Sequence, residues 1–163
     1  MGVAGCGKTT LGKALAQALD LPFLDGDDLH TPQARAKMTA GVALNDADRA
    51  PWLDRIGAEL ADADAHSGGA IVACSALRRV YRDRLRAAVG PELRFAFLDG
   101  DKALMHERVA GRRGHYMPAS LIDSQFAALE APIGEIDVVT LAAVRSPAEL
   151  VFETLRLLDR RAT

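Results

Sequence analysis

Apolar residues along the chain follow two alternating periods, which predict helices and strands in turn. Leu11, Leu15 and Leu19 recur at helical spacing in a segment that begins at Lys8, and this spacing predicts an amphipathic helix. Short, mainly apolar runs, which are typical of buried strands, lie at 21–24, 70–74, 93–98 and 136–141. Further helices are predicted from Thr31 to about Gly41, from Trp52 to Ser67, at about 77–88, 101–110 and 118–129, and from Ser146 onward.

This order of elements predicts a single α/β domain over residues 1–163. Strands that alternate with helices form βαβ units, so we expect a parallel sheet with helices on both faces. The sequence contains no internal repeat, linker or low-complexity tract. A length of 163 residues suits one ordinary domain and is too short for two separate cores.

Composition and charge exclude several classes of protein. Hydrophobic residues make up 49% and charged residues 26% of the chain, which excludes a disordered or fibrous protein. The net charge of −2 argues against nucleic acid or an anionic membrane as the main partner, since both usually select a basic surface. No apolar run approaches the roughly 20 residues of a membrane span. No secretory signal is expected, and the two cysteines suit a reducing cytoplasm.

Residues 2–9 match the phosphate-loop pattern G-x-x-x-x-G-K-[ST] at every fixed position. The glycines let backbone N–H groups turn toward a phosphate at the N-terminus of the predicted helix. Lys8 is expected to reach the β- and γ-phosphates and so to act in catalysis, and the Thr9 hydroxyl to coordinate Mg²⁺. The predicted nucleotide contacts are Gly2, Val3, Ala4, Gly5, Cys6, Gly7, Lys8, Thr9 and Thr10.

A phosphate loop follows a β-strand that lies inside the sheet of doubly wound folds, yet only Met1 precedes this one. We therefore expect that the first strand is missing from the sequence, and that an apolar run of about six to ten residues is encoded upstream. Without that strand two neighbours would keep unpaired edges, so we expect the chain as written to be poorly stable and weakly active.

An acidic turn, Asp25-Gly26-Asp27, ends the first predicted strand. Ligands bind at the carboxyl ends of strands in such sheets, where a carboxylate can accept a proton from a substrate hydroxyl. The alternative is an acidic turn that only caps a helix. The base-reading motif of GTPases, N/T-K-x-D, is absent from the sequence, which favours a small kinase.

Further blocks along nearly the whole chain resemble the gluconokinases, which are ATP-dependent P-loop kinases of the shikimate-kinase-like group. The resemblance rests on the runs 24–30 (LDGDDLH), 37–38 (KM), 41–49 (GVALNDADR), 51–53 (PWL), 74–83 (CSALRRVYRD), 114–118 (GHYMP) and 124–130 (SQFAALE). It implies a P-loop kinase fold with a mobile lid, ATP and Mg²⁺ as cofactors, and phosphorylation of D-gluconate to 6-phospho-D-gluconate. It also suggests a homodimer.

The resemblance suggests roles for the acidic turn. Asp27 is expected to be the base that faces the 6-hydroxyl of the substrate, by similarity to the D-x-D of shikimate kinases. Asp25 then lies on the metal side with Thr9. Trp52, at helical spacing with Ile56, is predicted to belong to the core.

Gluconate is a small polyhydroxylated anion, so its site needs a cation and several short polar groups. His30 and Lys37 are expected to contact the substrate, and Arg49 to clamp its carboxylate. The alternatives are a surface histidine at His30 and a solvated lysine at Lys37. For Arg49 the alternative is a local ion network with Asp46 and Asp48.

Arginines recur at intervals of four along the predicted helix 77–88, at Arg78, Arg82 and Arg86. Arg78 and Arg79 follow a predicted strand directly and are expected to reach the substrate. The others are expected to lie on a solvated helix face.

A second basic segment, between two predicted helices, carries glycines beside arginines. This pattern predicts a mobile lid over about 111–118 that closes over ATP and excludes water. Arg108, Arg112 and Arg113 are expected to contact the nucleotide, with Arg112 stabilising the transferring phosphoryl group. The alternative is an exposed basic turn.

Two other functions stay open. The substrate could be another small hydroxy acid, such as shikimate. The chain could instead be a non-catalytic ATP-binding regulator, although such a protein would have no need to keep Lys8, Thr9, Asp25 and Asp27 together.

Overall fold

The computed structural model describes residues 1–111 and 119–159. Its helices are α1 (Lys8–Leu19), α2 (Pro32–Thr39), α3 (Asp46–Ser67), α4 (Arg79–Val89), α5 (Lys102–Ala110), α6 (Ala119–Ala128) and α7 (Pro147–Asp159). The strands are β1 (Phe23–Asp25), β2 (Ile71–Ala73), β3 (Phe95–Asp99) and β4 (Val138–Ala142), and a short 3₁₀ helix covers Gly26–Leu29. The predicted order of strands and helices is confirmed.

Local capping explains where several helices begin. The Thr31 side chain accepts a hydrogen bond from the backbone of Ala34, and Pro32 opens α2, as the Thr-Pro pair predicts. Helix α3 begins six residues before Trp52, because Asn45 and Asp48 form a reciprocal capping box. That start was not anticipated, since the apolar spacing of α3 only becomes visible at Trp52.

The strands pair in parallel, as predicted, but in two separate pairs. β1 lies beside β2, with Phe23 opposite Ile71 and Asp25 opposite Ala73. β3 lies beside β4, in register from Phe95–Val138 to Asp99–Ala142. The single sheet that the pattern predicts is therefore split into two two-stranded sheets.

Met1 lies at the split, between β2 and β3. Its amino group donates a hydrogen bond to the carbonyl of Ala96, and its carbonyl accepts one from Leu98 at 3.0 Å, which is parallel pairing. On the other side, the N–H of Gly2 donates to the carbonyl of Ser75 at 3.1 Å. Met1 thus occupies one residue of a strand position between the two sheets.

A cavity of about 470 Å³ continues from Met1 between the sheets. Ile71 and Phe95, from the facing edges of β2 and β3, line it together with Leu15 of α1. We call this cavity the central slot. The break in the sheet lies at Met1, directly before the phosphate loop.

Helices cover both faces of the strands, as predicted. Phe95 and Phe97 of β3 pack with α3 and α4, in a cluster that includes Trp52 and Ile56. Leu98 points to the other face and packs with α1, α5, α6 and α7. The alternation of side chains along β3 therefore serves two cores. None of the helices in residues 1–111 and 119–159 combines the length and the apolar character that a membrane span needs.

The expectation of a solvated arginine face on α4 is wrong for Arg82. Its side chain is only 1% exposed and pairs with Glu135 through two N–H groups, at 2.9 and 2.5 Å. Arg82 also donates to the carbonyls of Ala76 and Leu77, and Arg86 adds a second guanidinium at Glu135. Arg82 and Arg86 together lower the pKa of Glu135 to about 2. The cluster ties the loop before β4 to α4.

Candidate active site

The phosphate loop runs from Gly2 to Lys8 around the N-terminus of α1. Gly5 and Gly7 adopt positive φ angles of 84° and 102°, which other residues rarely adopt. A side chain on Gly5 would also meet Val109 at 2.9 Å. No side chain caps α1 at Gly7, so the N–H groups of its first turn face the position where a phosphate would bind. The Lys8 ammonium donates to the carbonyl of Val3 at 3.0 Å and closes the loop.

A residue of α6 also contacts this loop. The side-chain carbonyl of Gln125 accepts a hydrogen bond from the backbone N–H of Ala4 at 2.7 Å. The two residues are 121 positions apart in the chain. Gln125 lies in the run 124–130 that resembles the gluconokinases, but no role is predicted for it, because only the packing of α6 on the loop brings it there.

Asp25 ends β1 beside the phosphate loop. Its Oδ2 accepts a hydrogen bond from the Thr9 hydroxyl at 3.2 Å, and its Oδ1 accepts one from the N–H of Asp27 at 3.2 Å. The structure thus brings together the two residues predicted to hold the metal. One hydroxyl and one carboxylate fit Mg²⁺, which commonly takes one or two carboxylates and completes its shell with phosphates and water. Within residues 1–111 and 119–159, no set of three or more His, Cys, Asp or Glu forms a metal site.

Asp27 lies in the first turn of the 3₁₀ helix, and its side chain is exposed. Gly26 lies so close to β2 that a Cβ atom on it would be 2.6 Å from the carbonyl oxygen of Ala73. Next to Ala73, burial raises the pKa of the Cys74 thiol to about 11, with Asp27 adding to the rise. Cys74 is therefore a protonated packing residue at the carboxyl end of β2.

His30 closes this turn and is buried, so the surface alternative is wrong. It is 6% exposed, and its ring stacks on the indole of Trp52 at a centroid distance of 4.4 Å. Burial lowers its pKa, with Asp27 opposing that shift and Arg49 and Arg35 adding to it. Nδ1 of His30 has no hydrogen-bond partner within the described part of the chain. Direct contact of His30 with the substrate stays a prediction.

Trp52 is buried, as predicted, but it does more than fill the core. Its indole N–H donates to the carbonyl of Gly26 at 2.6 Å. This bond links α3 to the acidic turn across 26 positions of the sequence.

The cations of α2 and α3 differ in their partners. Lys37 forms an ion pair with Asp48 at 2.6 Å, and this hydrogen bond lowers the pKa of Asp48. Arg49 donates to the carbonyl of Leu44, and its guanidinium lies 5.7 Å from the centre of the Tyr81 ring. Within the described residues Arg49 makes no direct ion pair, but its charge adds to the lowering of the pKa of both Asp48 and Asp46.

Arg78 is already paired with two carboxylates. It contacts Asp46 at 2.6 Å and Glu130 at 3.4 Å. Asp46 also accepts a hydrogen bond from the Tyr81 hydroxyl, and this bond, followed by that from Arg78, lowers the pKa of Asp46. Arg79 has an exposed side chain near Asp83, and only its backbone N–H reaches Glu130. Substrate contacts by Arg78 and Arg79 therefore stay predictions.

Of the three arginines predicted to contact the nucleotide beside the lid, Arg108 is the one inside the described part of the chain. It donates to the carbonyl of Ala143 at 2.9 Å, which anchors α5 beside the end of β4. Arg112 and Arg113 lie outside the described residues, as does nearly all of the predicted lid at 111–118.

Comparison with known proteins assigns the family. The profile described as shikimate kinase matches residues 4–114. A thermosensitive gluconokinase of Escherichia coli (strain K12) is 42% identical over 142 residues, which are 86% of this chain and 75% of that protein. The chain belongs to the gluconokinase family. The resemblance seen in the sequence is thereby confirmed.

Solved structures agree with the family assignment. A gluconokinase from Sinorhizobium meliloti 1021 matches with a TM-score of 0.90 and 44% identity, over 99% of this chain and 90% of that chain. The shikimate kinase of Aquifex aeolicus matches with a TM-score of 0.64 at 17% identity, over 99% of this chain and 95% of that one. The second likeness concerns the fold alone, and it confirms the P-loop kinase fold predicted for this member of the gluconokinase family.

Proposed function

We propose that the protein transfers the γ-phosphoryl group of ATP to the 6-hydroxyl of D-gluconate, giving ADP and 6-phospho-D-gluconate. The observation that carries the proposal is the hydrogen bond of Thr9 to Asp25, with Asp27 two residues further on. This bond joins the phosphate loop to the acidic turn. Phosphoryl transfer to a hydroxyl needs both, because one binds the phosphates and the other can accept the proton of the hydroxyl. Membership of the gluconokinase family supports gluconate as the acceptor.

The nucleotide binds along the phosphate loop. Residues 2–10 supply backbone N–H groups, and Lys8 exchanges its bond to the Val3 carbonyl for the phosphates. Arg108, Arg112 and Arg113 complete the nucleotide site, with Arg112 stabilising the transferring group. Thr9 and Asp25 hold Mg²⁺, which when bound neutralises charge on the phosphate oxygens.

On the sugar side, Asp27 accepts the proton of the 6-hydroxyl while the oxygen of that hydroxyl bonds to the γ-phosphorus. The bond from the γ-phosphorus to the bridging oxygen of ADP breaks in the same transfer. Arg49 is the cation best placed for the carboxylate, because it makes no ion pair among the described residues and its charge acts on His30. His30, Lys37, Arg78 and Arg79 are the other proposed substrate contacts.

The test is an ADP-release assay with a panel of sugar acids and shikimate, run on the wild-type chain and two variants. Asp27→Asn should lower kcat by at least a hundredfold, on the scale of general-base catalysis. Asp28→Asn, an exposed carboxylate in the same 3₁₀ helix, is the matched control and should keep near-normal turnover. Turnover with shikimate but none with gluconate would contradict the substrate. ATP binding without turnover of any acid would favour the regulator.

A cytoplasmic location and a homodimer complete the proposal. The location is supported by Cys6 and Cys74, which are both free and buried, as suits a reducing compartment. Sedimentation equilibrium of the purified chain tests the dimer, and a monomer mass across micromolar concentrations would contradict it.

A further inference from the structure

Trp52 holds the acidic turn at two points. Its indole N–H donates to the carbonyl of Gly26, immediately before Asp27. Its ring face stacks on His30, the residue that follows the 3₁₀ helix Gly26–Leu29, with 4.4 Å between the ring centroids and 11° between the ring planes. Both contacts are buried, since Trp52 is 1% and His30 6% exposed.

Asp27 itself has few contacts that could orient it. Its side chain is exposed, and its hydrogen bonds are made by its backbone. The N–H of Asp27 donates to Oδ1 of Asp25 at 3.2 Å, and the carbonyl of Asp27 accepts from the N–H of His30 at 3.5 Å. The direction of its carboxylate therefore depends on the path of the short 3₁₀ helix. That path is set by the close approach of Gly26 to β2 and by the contacts from Trp52.

The His30 ring supports a role beyond packing. Its Nδ1 is buried and has no hydrogen-bond partner among residues 1–111 and 119–159, and an unpaired buried polar atom is destabilising. A phenyl ring would stack on Trp52 without that penalty, so stability alone does not account for a histidine there. A buried polar atom without a partner requires an explanation, and a functional role is one of them.

We propose that Trp52 is a positioning residue, which directs the Asp27 carboxylate toward the acceptor hydroxyl by holding Gly26 and His30. This inference rests on the proposed function, in which Asp27 is the base. Small displacements of a reacting group lower rates steeply. The rate of the chemical step should therefore respond to Trp52 more than nucleotide binding does.

The test compares Trp52→Phe with Leu60→Ala. Phenylalanine keeps an aromatic ring against His30 and loses the N–H bond to Gly26. Leu60 lies in the same helix and the same cluster, two turns from Trp52, so its variant controls for lost core packing. We expect Trp52→Phe to lower kcat for gluconate about tenfold with the KM for ATP unchanged, whereas Leu60→Ala lowers the unfolding midpoint and keeps kcat. Equal kcat losses in the two variants, or none in Trp52→Phe, would overturn the inference.

Hydrogen exchange separates this inference from the proposed function. In Trp52→Phe the amides of residues 25–30 should exchange at least tenfold faster, measured relative to those of α1, and in Leu60→Ala this ratio should not change. The measurement needs no substrate, so it decides whether Trp52 holds the turn even if gluconate is not turned over. Unchanged exchange at residues 25–30 in Trp52→Phe would overturn the inference.

Discussion

The Thr9 hydroxyl donates a hydrogen bond to Oδ2 of Asp25 at 3.2 Å, across 16 positions of the sequence. This contact joins the first turn of α1 to the end of β1. It places a phosphate-binding helix and a carboxylate on one side of the molecule, where the proposed reaction needs both.

Asp25→Asn should weaken the response to Mg²⁺. The amide has one acceptor oxygen, so it keeps only one of the two hydrogen bonds that Asp25 accepts from Thr9 and Asp27. It also removes a negative charge from the proposed metal position, so the Mg²⁺ concentration for half-maximal rate should rise by about tenfold or more. ADP release measured across a Mg²⁺ titration checks this, with Asp28→Asn as the control. An unchanged half-maximal concentration would remove Asp25 from the metal site.

Arg49→Gln and Lys37→Gln should differ sharply. Arg49 lacks an ion pair within the described residues, so its loss should raise the KM for gluconate by about tenfold or more, the scale of a charge-assisted hydrogen bond. Lys37 is a proposed substrate contact that Asp48 already pairs, so its loss should raise the KM for gluconate less than the loss of Arg49 does. Steady-state kinetics of the two variants check this. Equal KM values would show that neither cation is preferred by the carboxylate.

A strand placed before Met1 should fill the central slot. Five apolar β-branched residues joined to Met1 would extend its parallel pairing with β3 and bury side chains against Ile71 and Phe95. The free energy of unfolding should rise by about 3 kcal/mol or more, measured by urea denaturation. An extension of five alternating glycines and serines is the control. Equal stabilities of the two extended chains would mean that the slot does not take a strand.

Glu135→Gln should destabilise the protein at neutral pH and matter less in acid. Arg82 and Arg86 lower the pKa of Glu135 to about 2, so its stabilising charge is fully present above its usual pKa of 4.5 and is lost as the pH falls toward 2. Removing that charge leaves buried Arg82 unpaired, which is destabilising by about 3 kcal/mol. Denaturation midpoints of the wild type and the variant, compared at pH 7 and pH 3, should therefore lie closer at pH 3. A constant difference would contradict the assigned pKa.

Local signals in the sequence were sufficient for the elements and for part of the site. The glycine spacing of the phosphate loop and the Thr31-Pro32 start of α2 depend on neighbouring residues, so they can be recognised without the fold. Asp25 was placed correctly beside Thr9, because the carboxyl end of a strand next to a phosphate loop can be located from the order of elements.

Other residues were misread because their partners are distant in the chain. Arg82 has the spacing of a surface helix position, but Glu135, 53 positions away, supplies a buried partner. Trp52 was recognised only as core, since its spacing does not reveal the carbonyl that its indole reaches. Such contacts form only when the helices pack, and no period along the chain encodes them.

The sequence by itself determined the order of helices and strands, the phosphate loop and the family, because these follow from local periodicity, glycine conformation and motif spacing. Only the tertiary structure decided which cations have carboxylate partners, which ring holds the acidic turn, and that the strands form two pairs around the central slot. Those features depend on desolvation and on the docking of distant elements, which fix partners through space and not along the chain.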